Sequence, residues 1–264
     1  METNQFTHVV LVLTALSPLA GFAAPLTLTK DGPTGNSNEG FGMPLSEMRE
    51  QLDRYWAEGQ VNIFFIAGKQ LSSALQERQS LYDSITAQTY IDTSLGVLAR
   101  PNATDKFPHP GIVLSIKAEI GRMLLGGDYI YYYFGGADYR KNRTAVLEAG
   151  ISLLDALRKD YAAGPLAMER WTPFTLKPGL SEEERAAAYK QRRDEDDAQR
   201  AKSMAVLCRK RFPEAIARLE KAFTAFAEQE YRRIPPEKDE MESIIARAGL
   251  PKEATERLNK LIPR

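Results

Sequence analysis

The sequence predicts an all-α protein, a multi-helix bundle that ends in a long charged helix or a kinked helix pair. Apolar residues recur at steps of three and four along most of the chain, which is the period of an amphipathic helix. Glycine and proline clusters separate these segments, and no stretch shows the sustained alternation of a strand. We therefore expect helices packed on one another and no sheet.

The first segment is an apolar run from Val9 to Ala24 that ends in small residues just before Pro25. It is shorter than the roughly 20 residues that cross a bilayer as a helix. Gly21 and Ala23 satisfy the small-residue requirement of signal peptidase and leave Ala24 as the new first residue. Residues 1–23 are thus predicted to be a cleaved signal peptide, which makes the protein periplasmic or secreted, with membrane contact only during export.

Two alternatives remain for this segment, because residues 1–8 contain no Lys or Arg of the kind that usually opens a signal peptide. They are an uncleaved membrane anchor and a buried N-terminal core segment. Residues 24–44 are rich in Gly, Pro, Asn, Ser and Thr and are predicted to be a flexible lead, either a spacer or a recognition peptide. Residues 45–264 are predicted to form one helical domain, with a subdomain boundary at 164–180.

The first half of this domain contains four predicted helices. The first begins at Leu45 and stops at Gly59, and the second runs from about Phe64 to Ile85, after which β-branched residues weaken the helical pattern. Three prolines predict a loop over residues 99–111. The third and fourth helices are expected at about Ile112–Leu125 and Asn142–Tyr161.

The second half opens with a loop over residues 164–179, where Trp171 and Phe174 are expected to anchor the connection over the core. Ser181 followed by three glutamates predicts the capped start of a long charged helix. Pro213 predicts a kink or break in that helix. Two short helices, at about Glu237–Ala248 and Lys252–Ile262, are predicted to end the chain. The apolar stripe of the long helix comprises Ala201, Met204, Cys208, Phe212, Ala215, Leu219, Ala222 and Phe226.

Composition excludes several classes of function. Basic and acidic residues both number 35, so the chain lacks the basic excess on which nucleic-acid binding usually depends, and no nucleic-acid partner is predicted. The one cysteine, Cys208, cannot form an internal disulfide. The protein is therefore expected to be stabilised by core packing alone.

Residues suited to catalysis are scarce. The two histidines are His8, which would leave with the signal, and His109, which lies between two prolines as either a rigid ligand or an exposed loop residue. Cys208 lies on an apolar stripe, which favours a buried hydrophobe over a reactive thiolate. No metal-site spacing and no phosphate-binding glycine loop occurs. We predict no cofactor and no metal, and the sequence leans away from an enzyme.

Carboxylates are the remaining catalytic candidates. Glu119 stands beside apolar residues of the third helix and is either a partly buried acid or a charge at the edge of the apolar stripe. Asp194–Asp197 is the densest acidic run, and the basic residues around it favour a solvated face with intrahelical ion pairs over a cation site.

The aromatic segment from Gly126 to Arg143 is the strongest lead to a ligand site. Its tyrosines, followed by basic residues, can form a stacking surface and meet an anionic group. The competing interpretation is that the same residues plug the helical core. The predicted ligand-binding residues are Tyr129, Tyr131, Tyr132, Tyr133 and Arg140.

The predicted function is an exported α-helical binding, scaffolding or interaction protein of the cell envelope, whose partner is an unidentified protein or small molecule. One alternative is a carboxylate-dependent hydrolase of an envelope polymer, with Glu119 as its acid and the aromatic segment as its substrate platform. A further hypothesis is helix-mediated self-association through the stripe between Ala201 and Phe226.

Overall fold

The structure, a computed structural model of the chain, describes residues 43–77, 84–126, 136–164, 167 and 173–262. The predicted signal peptide and most of the predicted lead lie outside these residues. The chain from Leu45 to Arg264 forms one compact unit. The predicted subdomain boundary at 164–180 stays a prediction.

The predicted fold class is confirmed. The structure is 79% helical, with nine helices and no strand among the described residues. None of the helices in the described ranges combines the length and apolarity required to cross a bilayer. In chain order, the helices are α1 (Leu45–Ala57), α2 (Val61–Glu77), α3 (Ser84–Leu98), α4 (Pro110–Leu125), α5 (Gly136–Ala162), α6 (Glu182–Lys210), α7 (Phe212–Arg233), α8 (Lys238–Ala248) and α9 (Lys252–Asn259).

Helix α4 is the centre of the bundle. It packs against α2, α3, α5, α6 and α7, and apolar residues occur on every side of it, as expected for a helix enclosed by others. Pro110 occupies its first turn, where a proline costs no hydrogen bond, so the helix begins inside the loop predicted for residues 99–111. Its buried apolar residues are Ile112, Val113, Leu114, Ile116, Ala118, Ile120, Met123, Leu124 and Leu125.

Two helices differ from their predicted limits. The single helix predicted from Phe64 to Ile85 ends at Glu77, and α3 occupies the segment whose β-branched residues weakened the helical pattern. Tyr90 and Ile91 of α3 are buried in the core, and this packing outweighs the low intrinsic helix propensity of the segment. Helix α5 begins at Gly136, before the predicted start at Asn142.

The predicted break in the long helix is confirmed. Helix α6 ends at Lys210 and α7 begins at Phe212, with Pro213 in its first turn. The predicted cap is present as well, since Glu184 N donates to Ser181 Oγ at 3.3 Å and Ser181 N donates to Glu184 Oε2 at 2.8 Å.

The apolar stripe proposed for self-association packs inside the chain. Its larger members lie in the same core as α4 and α5, so they offer no free apolar seam to a second molecule. The buried members are Ala201, Cys208, Phe212, Leu219 and Phe226.

Candidate functional site

The predicted aromatic site is described only at its C-terminal end. Tyr129, Tyr131, Tyr132 and Tyr133 lie outside the described residues, and their role in ligand binding stays a prediction. Arg140 lies on α5 with its side chain exposed. The structure thus leaves Arg140 accessible without describing the four tyrosines predicted to act with it.

Tyr139, the fifth tyrosine of the segment, lies in the core. Its hydroxyl donates to Glu230 Oε2 on α7 at 2.6 Å, and both side chains are fully buried. For this residue the core interpretation is correct. Burial and the hydrogen bond to Glu230 raise the pKa of Tyr139, so the phenol stays protonated and acts as a donor.

Arg143 is also part of the core, although the sequence grouped it with residues that could meet an external anion. Its side chain is only 1% exposed and lies between the rings of Tyr139 and Tyr231, with Cζ 5.6 Å and 5.2 Å from their centroids. Nη1 donates to the carbonyl of Ile234 at 2.7 Å, and Nη2 lies 3.4 Å from Glu240 Oε1. The charge of Arg143 is therefore balanced inside the chain.

Glu119 lies at the edge of the apolar surface of α4. Its carboxylate pairs with the ammonium group of Lys69 on α2, and both side chains are 39% exposed. This contact joins two packed helices at the surface. The geometry agrees with the interpretation of Glu119 as a charge at the edge of the apolar stripe.

Cys208 faces the interior of the bundle, as the sequence predicted. Its side chain is buried, and burial raises the pKa of the thiol while a hydrogen bond with Ser115 acts in the opposite direction. A protonated, enclosed thiol is a poor nucleophile. Among the described residues, no group of three His, Cys, Asp or Glu side chains could hold a metal ion.

His109 lies at the start of α4 and is half-buried rather than fully exposed. It lines a groove of about 370 Å³ between the start of α2, the loop before α4, and α6. Burial, followed by the charge of Lys202, lowers the pKa of His109, so its imidazole is neutral at pH 7. The groove is lined by Gly59, Gln60, Val61, Asn62, Ile63, Lys106, Pro108, His109, Asp197, Ala198 and Ala201.

A buried cationic cluster joins α1, α3 and α4. The guanidinium of Arg100 pairs with Asp53 and lies over the ring of Trp56, with Cζ 5.7 Å from the ring centroid. Lys117 donates to the Arg100 carbonyl and, at 2.7 Å, to Asn102 Oδ1. Burial lowers the pKa of Lys117 to about 8, with a smaller effect from the charge of Arg100. Because Lys117 is only 4% exposed, a solute cannot reach it, and its role is to hold the end of α3 against α4.

The first half of α6 is exposed along most of its length. All five buried residues of this helix lie at or after Ala201, and the turns before Ala201 are largely exposed. The acidic run in these turns forms the predicted intrahelical ion pairs. Arg192 Nε lies 2.9 Å from Asp196 Oδ1, and Arg200 Nη1 lies 3.6 Å from Asp197 Oδ1.

An aromatic pair lies against this exposed half-helix. Tyr189 is 57% exposed and Phe174 is 40% exposed, and their ring centroids are 5.8 Å apart. The guanidinium carbon of Arg192 lies 5.6 Å from the centroid of the Phe174 ring. Phe174 thus packs on α6 at the surface instead of anchoring the loop over the core, and Trp171 lies outside the described residues.

Helical periodicity does not reveal this surface, because the helical neighbours of Tyr189 three and four positions away are arginines and one alanine, with no large apolar residue. The one sequence feature that could have indicated the surface is an aromatic residue in the loop, Phe174, followed fifteen positions later by the single aromatic residue of the long helix, Tyr189. We call the cluster of Phe174, Tyr189 and Arg192 the α6 patch.

Taken together, the fold and this surface define an all-α bundle protein whose long charged helix is exposed in its first half. No protein-family model matches the chain, and no curated protein or solved structure has significant similarity to it.

Proposed function

We propose that this chain is an exported α-helical interaction protein that acts in the cell envelope or outside the cell and presents the first half of α6 to a protein partner. The observation that carries the proposal is the α6 patch. The rings of Tyr189 on α6 and of Phe174 in the preceding loop remain exposed side by side, and the buried residues of α6 all lie in its later turns.

The composition of the patch supports binding to protein. Tyrosine is enriched among the residues that contribute most to protein–protein affinity, because it combines a large contact area with hydrogen-bonding capacity. The side chain of Arg192 is 15% exposed and is held between Asp196 and the Phe174 ring, so it fixes the position of that ring on α6. An ordered patch of this kind lowers the entropic cost of association.

The alternative of a carboxylate-dependent hydrolase has less support. Such enzymes use two carboxyl groups, one of which acts as an acid, on opposite sides of the bond that is cleaved. Glu119 pairs with Lys69 at the surface. The tyrosines proposed as its substrate platform lie outside the described residues.

Photo-crosslinking in the organism that produces the protein tests the proposal. A photoreactive phenylalanine analogue replaces Tyr189, and the matched control carries the analogue at Tyr161, which is 50% exposed on α5 and outside the patch. We expect an adduct from position 189 and none from position 161. The crosslinked protein is then purified and its affinity measured with the wild-type chain and with Tyr189→Ala.

Loss of at least about tenfold in affinity on Tyr189→Ala supports the proposal, because residues at the centre of an interface commonly account for that much. Equal adduct yields at the two positions would overturn it. An affinity that is unchanged by Tyr189→Ala would overturn it as well.

A further inference from the structure

Two exposed arginines flank the tyrosine of the α6 patch. Arg185 lies four positions before Tyr189 and Arg193 lies four positions after it, so each is about one helical turn from the ring and on the same side of the helix. Both arginines are exposed. Within the described ranges, neither of them forms an ion pair. The exposed ring therefore lies between two positive charges that have no acidic partner in this part of the chain.

The third arginine near the ring has a different role. Arg192 pairs with Asp196 at 2.9 Å, and its guanidinium carbon lies 5.6 Å from the centroid of the Phe174 ring. These contacts hold Phe174 beside Tyr189, with the two ring centroids 5.8 Å apart. The surface open to a partner thus consists of two aromatic rings with one unpaired positive charge on either side along the helix.

Acidic residues limit the length of this basic stretch. Glu182–Glu184 form the first turn of α6, and the run Asp194–Asp197 follows Arg193 directly. Arg185 and Arg193 are about 12 Å apart along the axis, because an α-helix rises about 1.5 Å per residue. A long polyanion, such as a nucleic acid, would also bring negative charge against the acidic residues at both ends. A short acidic segment of a protein fits the stretch without meeting them.

An extended peptide matches the spacing of the two arginines. Residues four positions apart in an extended chain are separated by about 13 Å, since each residue adds about 3.3 Å. Side chains at alternate positions point to the same side of such a chain. The pattern acidic–x–aromatic–x–acidic, in which x is any residue, therefore presents two carboxylates and a ring between them to one surface. The carboxylates reach Arg185 and Arg193 while the ring contacts Tyr189 and Phe174.

We propose that the partner of the α6 patch is a protein segment with the pattern acidic–x–aromatic–x–acidic, bound in extended form along α6 between Arg185 and Arg193. The inference rests on the proposed function of the patch and specifies the chemistry of its partner. A guanidinium can bind a carboxylate through two parallel hydrogen bonds, and aromatic rings pack favourably at centroid distances of about 4.5–7 Å. Because exposed ion pairs are individually weak, binding is reversible and depends on salt.

Titration of the purified chain with a synthetic peptide tests the inference. The probe has the sequence Gly-Glu-Ser-Phe-Ser-Glu-Gly, with an amidated C-terminus and a neutral fluorophore at its N-terminus. The control peptide has the same composition in the order Gly-Glu-Glu-Ser-Ser-Phe-Gly. By fluorescence anisotropy, we expect the probe to bind with a Kd below about 1 mM and the control to bind at least about fivefold more weakly.

A charge exchange between the chain and the peptide tests the two ion pairs. Arg185→Glu/Arg193→Glu should weaken binding of the probe at least about fivefold, because like charges then face each other. The same variant should bind a peptide in which lysines replace both glutamates of the probe, whereas the wild-type chain should not. The matched control is Lys159→Glu/Lys221→Glu, which makes the same change in net charge at exposed positions on α5 and α7 and should leave binding unchanged.

Two further measurements accompany the titrations. They are repeated at about 10 mM and about 1 M NaCl, because the Debye length falls from about 30 Å to about 3 Å between these concentrations. We expect the preference for the probe over the control peptide to shrink at high salt. Circular dichroism checks that every variant keeps its helix content.

Each outcome is decisive. Loss of probe binding in Arg185→Glu/Arg193→Glu, with recovery by the lysine peptide, supports the inference. No binding of the probe up to about 1 mM overturns it, as do equal affinities for the probe and the control peptide, or an affinity that the charge reversal leaves unchanged. A short oligothymidylate that binds more tightly than the probe, and also depends on both arginines, overturns it in favour of a nucleic acid.

Failure of the inference is distinguishable from failure of the proposed function. If the peptide does not bind but position 189 still crosslinks to a protein and Tyr189→Ala weakens that complex, the inference fails while the proposed function stands. If the peptide does not bind and the crosslinking also fails, both are overturned.

Discussion

The hydroxyl of Tyr139 and the carboxylate of Glu230, 91 positions apart in sequence, meet at 2.6 Å with both side chains fully buried. Tyr139→Phe removes the donor and leaves a buried carboxylate with one hydrogen bond fewer. We expect the free energy of unfolding to fall by about 1–3 kcal/mol, measured by urea denaturation. The control is Tyr161→Phe, an exposed tyrosine at the end of α5, which should change stability by less than about 0.5 kcal/mol. If Tyr139→Phe and Tyr161→Phe lowered the free energy of unfolding equally, the hydrogen bond between Tyr139 and Glu230 would not stabilise the fold.

Gly68 and Ile116 fix the distance between α2 and α4. A Cβ atom at Gly68 would lie 2.9 Å from three side-chain carbons of Ile116, closer than such atoms pack. Gly68→Ala should therefore destabilise the protein by about 1–3 kcal/mol through overpacking, even though alanine gains up to about 1 kcal/mol in helix propensity. The cost should exceed that gain because both residues are buried in the bundle.

A double-mutant cycle checks this contact. Ile116→Ala removes all three contacting carbons, so Gly68→Ala/Ile116→Ala should be more stable than the sum of the single changes predicts. If the two losses in free energy of unfolding were strictly additive, the side chains at positions 68 and 116 would not be in steric conflict.

The parts of the fold that depend on local chemistry were predictable from the sequence. The cap formed by Ser181 and Glu184 and the break before Pro213 follow from residues within one or two helical turns, and both are present. The helix around Tyr90 was not predicted, because burial against distant helices stabilises it against its local propensity.

The polar features of the interior could not be predicted for a related reason. Arg143 looks like any surface cation in the sequence, and its acceptor, the carbonyl of Ile234, is 91 positions away. Tyr189 is exposed beside Phe174 because of the path that the preceding loop takes over α6. Helical periodicity gives the face of a helix on which a residue lies, but not which neighbour covers that face.

Lys117 should make stability depend on pH in the mildly alkaline range. Its pKa falls from 10.5 to about 8 on folding, mainly through burial, so between these values the unfolded chain binds more protons than the folded one. The free energy of unfolding should therefore rise with pH from about 8 to about 9.5, by at most about 1.4 kcal/mol per pH unit for one proton. Urea denaturation across this interval measures the slope.

Lys117→Met removes the titrating group and should flatten this rise. The interval stops at about pH 9.5 because Tyr139 and Tyr231, whose pKa values are raised by burial, act in the opposite direction as unfolded tyrosines begin to ionise near pH 10. A variant with an unchanged slope would show that another group is responsible.

The N-terminal prediction can be checked on exported material. If residues 1–23 are a signal peptide, N-terminal sequencing of the mature protein should begin at Ala24. Ala23→Arg should block cleavage because signal peptidase needs a small residue immediately before the cut. Ala24→Ser, directly after the cut, is the matched control and should be processed normally. A wild-type protein that keeps Met1 after export would contradict the prediction.

Because Cys208 is enclosed, the reactivity of its thiol can report how often the surrounding helices open. This single cysteine is 6% exposed and lies on the part of α6 that packs against α4. A thiol reagent can modify it only after the two helices separate, so the labelling rate under native conditions reports the free energy of that opening. Comparing this value with the free energy of global unfolding would reveal whether α6 can detach from the bundle while the other helices stay folded.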